Sequence, residues 1–237
     1  MTKPHDDYAP NPKFLEAFPD MSGNDLNGRG ETEPRPASPF FWHPPSKQPF
    51  GELQTAVLDH HRQAPQIRET YSPKAPRGPR PVELAPQRIE KDAATWTAEI
   101  KQFALDNEAD LVGIVPMDPA YVYEGYEIDE PWVVMIGVAM DHELLNAAPD
   151  TIDDAVSSVE VGEQYNRAAR VSRNLSNYIL EQGHYAKAYS GPYASALLMI
   201  PPAIAAGFGE LGKHGSMINR QYGSSFRLSA ITTEMPL

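Results

Sequence analysis

Thirteen residues, Gly207-Phe-Gly-Glu-Leu-Gly-Lys-His-Gly-Ser-Met-Ile-Asn219, concentrate the features best able to hold a large ligand. Gly207, Gly209, Gly212 and Gly215 bare the backbone, so that N–H groups can approach a ligand that a Cβ would keep at a distance. Lys213 adds a cation, His214 an imidazole, and Ser216 and Asn219 neutral hydrogen-bonding groups. Such a set suits a bulky polar ligand held at its periphery.

Two nucleotide motifs overlap this stretch. Gly207-Phe-Gly-Glu-Leu-Gly212 fits G-x-G-x-x-G, and Gly207 to Lys213 fits the first seven positions of a P-loop. Both require a strand before the glycines and a helix after them, so that phosphate rests on a helix N-terminus. Here an apolar, helical run precedes Gly207 and a β-type run follows Asn219. His214 also stands where a P-loop has the Ser or Thr that holds magnesium. A helix stop at Gly207 or Gly209 explains one glycine but leaves Gly212, Gly215, Lys213 and His214 without a role. No G-x-S-x-G occurs, and the adjacent pair His60-His61 lacks a carboxylate at ligand spacing, so no metal is assigned.

The elements that must position the loop follow from periodicity. Asp92 caps a helix whose Trp96, Ile100, Phe103 and Ala104 share a face. Leu111–Val115 reads as a short strand, and Trp132–Met140, apolar throughout, as a central strand covered on both sides. Ser157–Gln182 is the long helix, with Tyr165, Ala168, Ser172, Leu175 and Ile179 on one face and Gly183 as its stop. His184–Ser190 is a strand, a short helix begins at or just before Pro201, the glycine loop follows, and Phe226–Thr233 is the last strand. This order predicts an α/β protein or α+β sandwich. Of 24 prolines, 16 lie at or before Pro86, so residues 1–91 read as a mostly irregular, extended arm and 92–237 as the folded domain. Glu52–Arg62 is its one candidate helix.

Residues 1–91 hold 12 basic and 12 acidic side chains, so the net charge of −12 belongs to 92–237. An acidic domain repels duplex DNA and anionic membranes, so no nucleic-acid partner is expected. No stretch has the length to span a bilayer and no leader is visible, which predicts a cytoplasmic protein. With no cysteine, the chain cannot ligate an iron–sulfur cluster in the usual way.

The glycine-rich stretch, with Gly223-Ser-Ser-Phe-Arg-Leu228 and Thr232-Thr-Glu-Met-Pro-Leu237, resembles the corrinoid-binding region of the reductive dehalogenases and epoxyqueuosine reductase. Ala109–Ile114, Trp132–Asp141 and Gln164-Tyr-Asn-Arg167 extend the resemblance over roughly 95–237. It implies a nitroreductase-like fold holding cobalamin, which performs the difficult chemistry while the protein supplies burial, orientation and a proton donor. It also implies two [4Fe–4S] clusters, whose cysteines in that family lie beyond the equivalent of Leu237. The expected source is therefore a continuation of this chain or a separate iron–sulfur subunit.

The resemblance also distributes roles. The proton donor falls near Tyr193, with Tyr123 and Tyr126 as competitors, and Lys187 is placed to lower a neighbouring phenol's pKa. Tyr165 and Asn166 sit where the family's long helix faces the corrin. Lys213 and His214 become donors to corrin side chains or phosphate, flanked by Gly207, Gly209, Gly212, Gly215, Ser216 and Asn219, and Arg227 an anchor. The expectation is a reductase acting on a small, halogenated aromatic substrate. A non-catalytic corrinoid-binding or assembly subunit, and a P-loop or dinucleotide-binding protein, are the alternatives.

Overall fold

The computed structural model describes residues 36–37, 64–151, 153–190 and 196–237, all within the second of two units, Pro36–Leu237. The candidate helix at 52–62 lies outside the described residues.

The sheet is built around the most apolar strand. β1 (Leu111–Pro116) and β2 (Trp132–Ala139) pair antiparallel, and β2 also pairs with the last strand, β6 (Phe226–Thr233), from Trp132 opposite Thr233 to Ala139 opposite Phe226. β3 (Ala186–Tyr189) closes the far edge, giving the order β1-β2-β6-β3, antiparallel throughout. Alternation sends Val134, Ile136 and Val138 to one face and Val133 and Met135 to the other, all fully buried. Continuous apolarity thus reports burial on both faces.

Two helices cover the first face. α2 (Ala93–Asp106) starts at Asp92, whose carboxylate accepts from Thr95 N at 3.0 Å, and buries Trp96, Ile100 and Ala104. α4 (Val156–Glu181) buries Ala168, Ser172, Leu175 and Ile179. Serines tie it to the sheet: Ser229 Oγ donates to Ala168 O at 2.8 Å and Ser176 Oγ to Ala186 O at 3.3 Å. Gly183, at φ +80°, ends the helix. A short helix, α3 (His142–Leu145), capped by Asp141, fills the β2–α4 connection.

The opposite face carries α5 (Ile200–Ala205), which begins with Pro201-Pro202 in its first turn, and the glycine-rich segment. Phe208 and Met217 from that segment pack with Leu197 and Ala203 over Val133, Met135 and Ala230. The expected mixture of helix and sheet is what forms.

The proline-rich chain ahead of α2 is fastened to α4. α1 (Pro65–Thr70) packs on α4, and residues 71–91 then run along α4 from its N-terminal to its C-terminal end. Asn166 Nδ2 donates to Thr70 O (2.9 Å) and Arg77 Nε donates to Asn166 Oδ1 (3.0 Å). Asn177 repeats the pattern with Arg80 O and Val82 N, and Ala85 N and Ile89 N reach the carbonyls of Leu180 and Gln182. Proline cannot join a ladder, so the strap's backbone is satisfied largely by helix side chains and helix-end carbonyls.

Candidate functional site

The glycine-rich stretch is a hairpin where the sequence suggested a plain loop. Gly207, at φ +82°, stops α5 by donating to Ile204 O at 2.9 Å, and β4 (Glu210–Leu211) pairs with β5 (Met217–Ile218). Gly209 is required by contact, since a Cβ there would run into the Ile218 carbonyl. The tip is closed by Gly212 N to Ser216 O (2.8 Å) and Gly215 N to Gly212 O (2.9 Å). Ser216 N donates to His214 Nδ1 at 3.0 Å, so the neutral imidazole carries its hydrogen on Nε2. Lys213, His214, Gly215 and Ser216 are exposed. Asn219 is spent inside the hairpin base: Nδ2 donates to Phe208 O at 2.6 Å and Oδ1 accepts from Gln221 N and Tyr222 N. No helix follows these glycines, so neither nucleotide motif has the helix N-terminus it needs.

A second group forms on the sheet's other face. Arg227 stands opposite Val138, whose side chain points into the α2–α4 layer, and its guanidinium lies over the ring of Tyr165, 4.8 Å from the centroid. Arg227 Nε is buried without a hydrogen-bond partner among the described residues. Tyr71, delivered by the strap, brings its ring to 6.5 Å from Tyr165 at a tilt of 53°. Asn166, next to Tyr165, is buried and turned to the strap, where Thr70 and Arg77 take up its amide. Hairpin and Tyr165–Arg227 pair are linked through β6: Gly223, bridged to Asn219 at the hairpin base, precedes Arg227 by one short turn.

The remaining candidates are more dispersed. Tyr193 lies outside the described residues. Tyr126 is exposed on a turn in which its N–H donates to Tyr123 O at 3.1 Å, and burial raises the Tyr123 phenol above its ordinary range. Lys187 is exposed on the edge strand with Nζ 5.2 Å from the ring centroid of Tyr189. That phenol is nevertheless pushed up to about 12, by burial first and then by the charge of Glu130. A cavity of about 350 Å³ is lined by Gln66, Leu144, Asp153, Val156, Glu160 and Glu163 among others, and none of the sequence-predicted site residues faces it. The strap and Tyr71 are what sequence reasoning missed. The available signal was Asn166 and Asn177, polar residues three turns apart on a helix that needs its other sides for packing.

A long helix and its partner cover one face of an antiparallel sheet and a glycine hairpin the other, an arrangement shared in fold with solved reductive dehalogenases. Over 105 residues, 44% of this chain, the sequence is 28% identical to the tetrachloroethene reductive dehalogenase of Dehalobacter restrictus, of which the match covers 18%. A catabolic reductive dehalogenase solved in complex with 3-bromo-4-hydroxybenzoic acid superposes on 68% of this chain and 24% of its own, at TM-score 0.57 and 24% identity. A reductive dehalogenase structure described as suggesting a mechanism for B12-dependent dehalogenation gives TM-score 0.58 and 23% identity over 68% of this chain and 25% of that one. No family model matches the chain. It is thus a relative of the reductive dehalogenases over part of its length, and the match spans about a fifth of the curated relatives.

Proposed function

We propose that this chain is the corrinoid-binding portion of a cobalamin-dependent reductive dehalogenase-like oxidoreductase, with Tyr165 as proton donor and Arg227 as its charge partner. The observation that carries this reading is the Arg227 guanidinium over the Tyr165 ring, with Nε left unpartnered in a buried position. Tyr165 holds a proton on Oη and can give it to a carbon from which halide departs. The Arg227 guanidinium packed over the ring holds the ring in place and sets a fixed cation against its face. Tyr71 limits the space over the ring, and the Asn166 tie to Thr70 and Arg77 keeps Tyr71 there.

The residues present fit a corrinoid in kind. Its rim of amides and its phosphodiester call for N–H and cationic donors, and the exposed hairpin tip offers Lys213 and His214 on a backbone where a Cβ at Gly207, Gly215 or Gly223 would meet nothing within 4 Å. When bound, cobalamin would supply the low-potential electrons that reductive dehalogenation needs. Those electrons come from iron–sulfur clusters ligated outside these 237 residues, which contain no cysteine. The solved relative that holds a brominated hydroxybenzoate supports a small halogenated aromatic as substrate. The proposed compartment is the cytoplasm, and among the described residues no helix is long and apolar enough to cross a membrane.

Two measurements test the reading. Purified protein incubated with hydroxocobalamin and desalted should keep a visible corrinoid spectrum, and a colourless protein overturns the proposal. With the iron–sulfur source supplied, Tyr165→Phe should retain the corrinoid and lose turnover by about 10²–10⁴-fold, the range for a general acid. Full activity in Tyr165→Phe with loss in Tyr193→Phe moves the donor to Tyr193. Corrinoid retention with no turnover under any supply of electrons favours a carrier or assembly subunit.

A further inference from the structure

We infer that Arg77, Arg80 and Arg173 form a binding site for a phosphate-type oxyanion, where the strap crosses the middle of α4. The strap's hydrogen bonds fix which residues meet. Pro76 O accepts from Arg170 Nη1 at 2.8 Å, Gly78 lies so close to α4 that a Cβ would be 2.9 Å from the Arg170 Cα, and Arg80 O accepts from Asn177 Nδ2 at 2.9 Å. Residues 77–80 therefore run over the stretch of helix between Arg170 and Asn177. Arg173 lies in that stretch, one turn from each, under the segment that carries Arg77 and Arg80, and close enough to Arg77 to feel its charge.

What sets these three apart is the absence of acid. The neighbouring arginines on α4 are neutralised: Arg170 Nε meets Glu108 at 2.8 Å and Arg167 Nη2 meets Asp110 at 2.9 Å. Among the described residues, Arg77, Arg80 and Arg173 have no carboxylate within ion-pair distance, and neither does Lys74 on the same strap. Arg77 uses Nε on Asn166 Oδ1 and keeps its Nη groups available. Burial and the charge of Arg77 both hold the Arg173 pKa below its ordinary value, so the two cations act on one another. Like charges brought together without a counterion cost free energy that a bound anion removes.

The chain could have placed acids here easily. It carries 32 of them and a net charge of −12. Residues 73–81, Pro-Lys-Ala-Pro-Arg-Gly-Pro-Arg-Pro, contain three cations, no acid and four prolines, which stiffen the segment and hold its cations in place before a ligand arrives. Guanidinium forks match the paired oxygens of a phosphoryl group. Free phosphate and the phosphodiester of a larger ligand offer this same chemistry. The site shares Arg77 with the tie that holds Tyr71 beside Tyr165, whereas Arg80 and Arg173 take no part in the role proposed for Tyr165.

Inorganic phosphate titrated into the full chain at constant ionic strength tests the inference, with thermal unfolding and calorimetry as readouts. Phosphate should raise the unfolding temperature saturably where chloride does not, and Arg173→Gln should weaken phosphate binding by tenfold or more, while Lys101→Gln on α2 leaves it unchanged. Equal effects of phosphate and chloride, or equal binding in Arg173→Gln and Lys101→Gln, overturn it. Should Arg173→Gln fail to fold, Arg80→Gln, on the exposed strap, carries the same comparison. Hydroxocobalamin retention in these variants separates the sources: parallel loss identifies the corrinoid phosphodiester as occupant, and unchanged retention identifies a separate anion.

Discussion

At Tyr189 two influences on one phenol can be ranked. The Lys187 ammonium lies 5.2 Å from the ring centroid and would favour the phenolate, yet the phenol stands at about 12 because burial penalises the charged form and Glu130 adds a like charge. Lys187 is exposed, so water screens it, whereas Tyr189 is 3% exposed and cannot escape desolvation. Lys187 therefore does not do for Tyr189 what the sequence suggested it could do for a neighbouring phenol. The stability consequence has a definite sign. A phenol that ionises near 10 when unfolded and near 12 when folded holds its proton more tightly in the native state, so its contribution is complete below pH 10 and is lost as pH rises to 12. The stabilities of wild type and Tyr189→Phe from urea unfolding should draw apart by about 2 kcal/mol across that window. Parallel curves from pH 9 to 12 would show that the ring is solvated after all.

Among the elements, α4 was legible in length and stop but not in partner. Its inward face follows from the spacing of Ala168, Ser172, Leu175 and Ile179, and Gly183 ends it as the sequence suggests. The strap was illegible because prolines encode extension without saying what the extension lies against. Its backbone bonds go to side chains such as Asn166 and Asn177, which leave no period in the sequence. The glycine stretch was read as a loop for a related reason, since strands of two residues are too short for any alternation to register. Gly162 tests the seating of the strap, because a Cβ there would collide with the Thr70 side chain, whose hydroxyl is held by Ile67 O at 2.8 Å. Gly162→Ala should therefore destabilise the protein by about 1–3 kcal/mol as an overpacking change, although alanine is the better helix former. Faster tryptic cleavage at Arg68 and Lys74 should accompany it. Unchanged or greater stability would mean that the strap can shift on α4 at little cost.

For the whole molecule, the boundary drawn from proline content at residue 91 separates composition, while the hydrogen bonds join what it separates. Residues 70–91 satisfy the amides of Asn166 and Asn177, and Ile89 O meets His184 Nε2 at 2.9 Å. All three of those side chains are buried. A chain cut to residues 92–237 would lose these bonds, at about 0.5–1.5 kcal/mol each, and open the side chains they hold to water. It would also uncover Ala155 and Val159, the residues at the start of α4 that pack with Ala64 and Ile67. The combined loss, about 5 kcal/mol or more, is comparable to the whole stability of an ordinary domain. The same strap sets Tyr71 beside Tyr165, so fold and candidate site depend on it together. Chains of residues 64–237 and 92–237 separate the two readings: the longer should unfold cooperatively in urea, and the shorter should be unfolded or lose most of its midpoint. A shorter chain with the same midpoint and slope would show that residues 92–237 stand alone and that the strap merely rests on them.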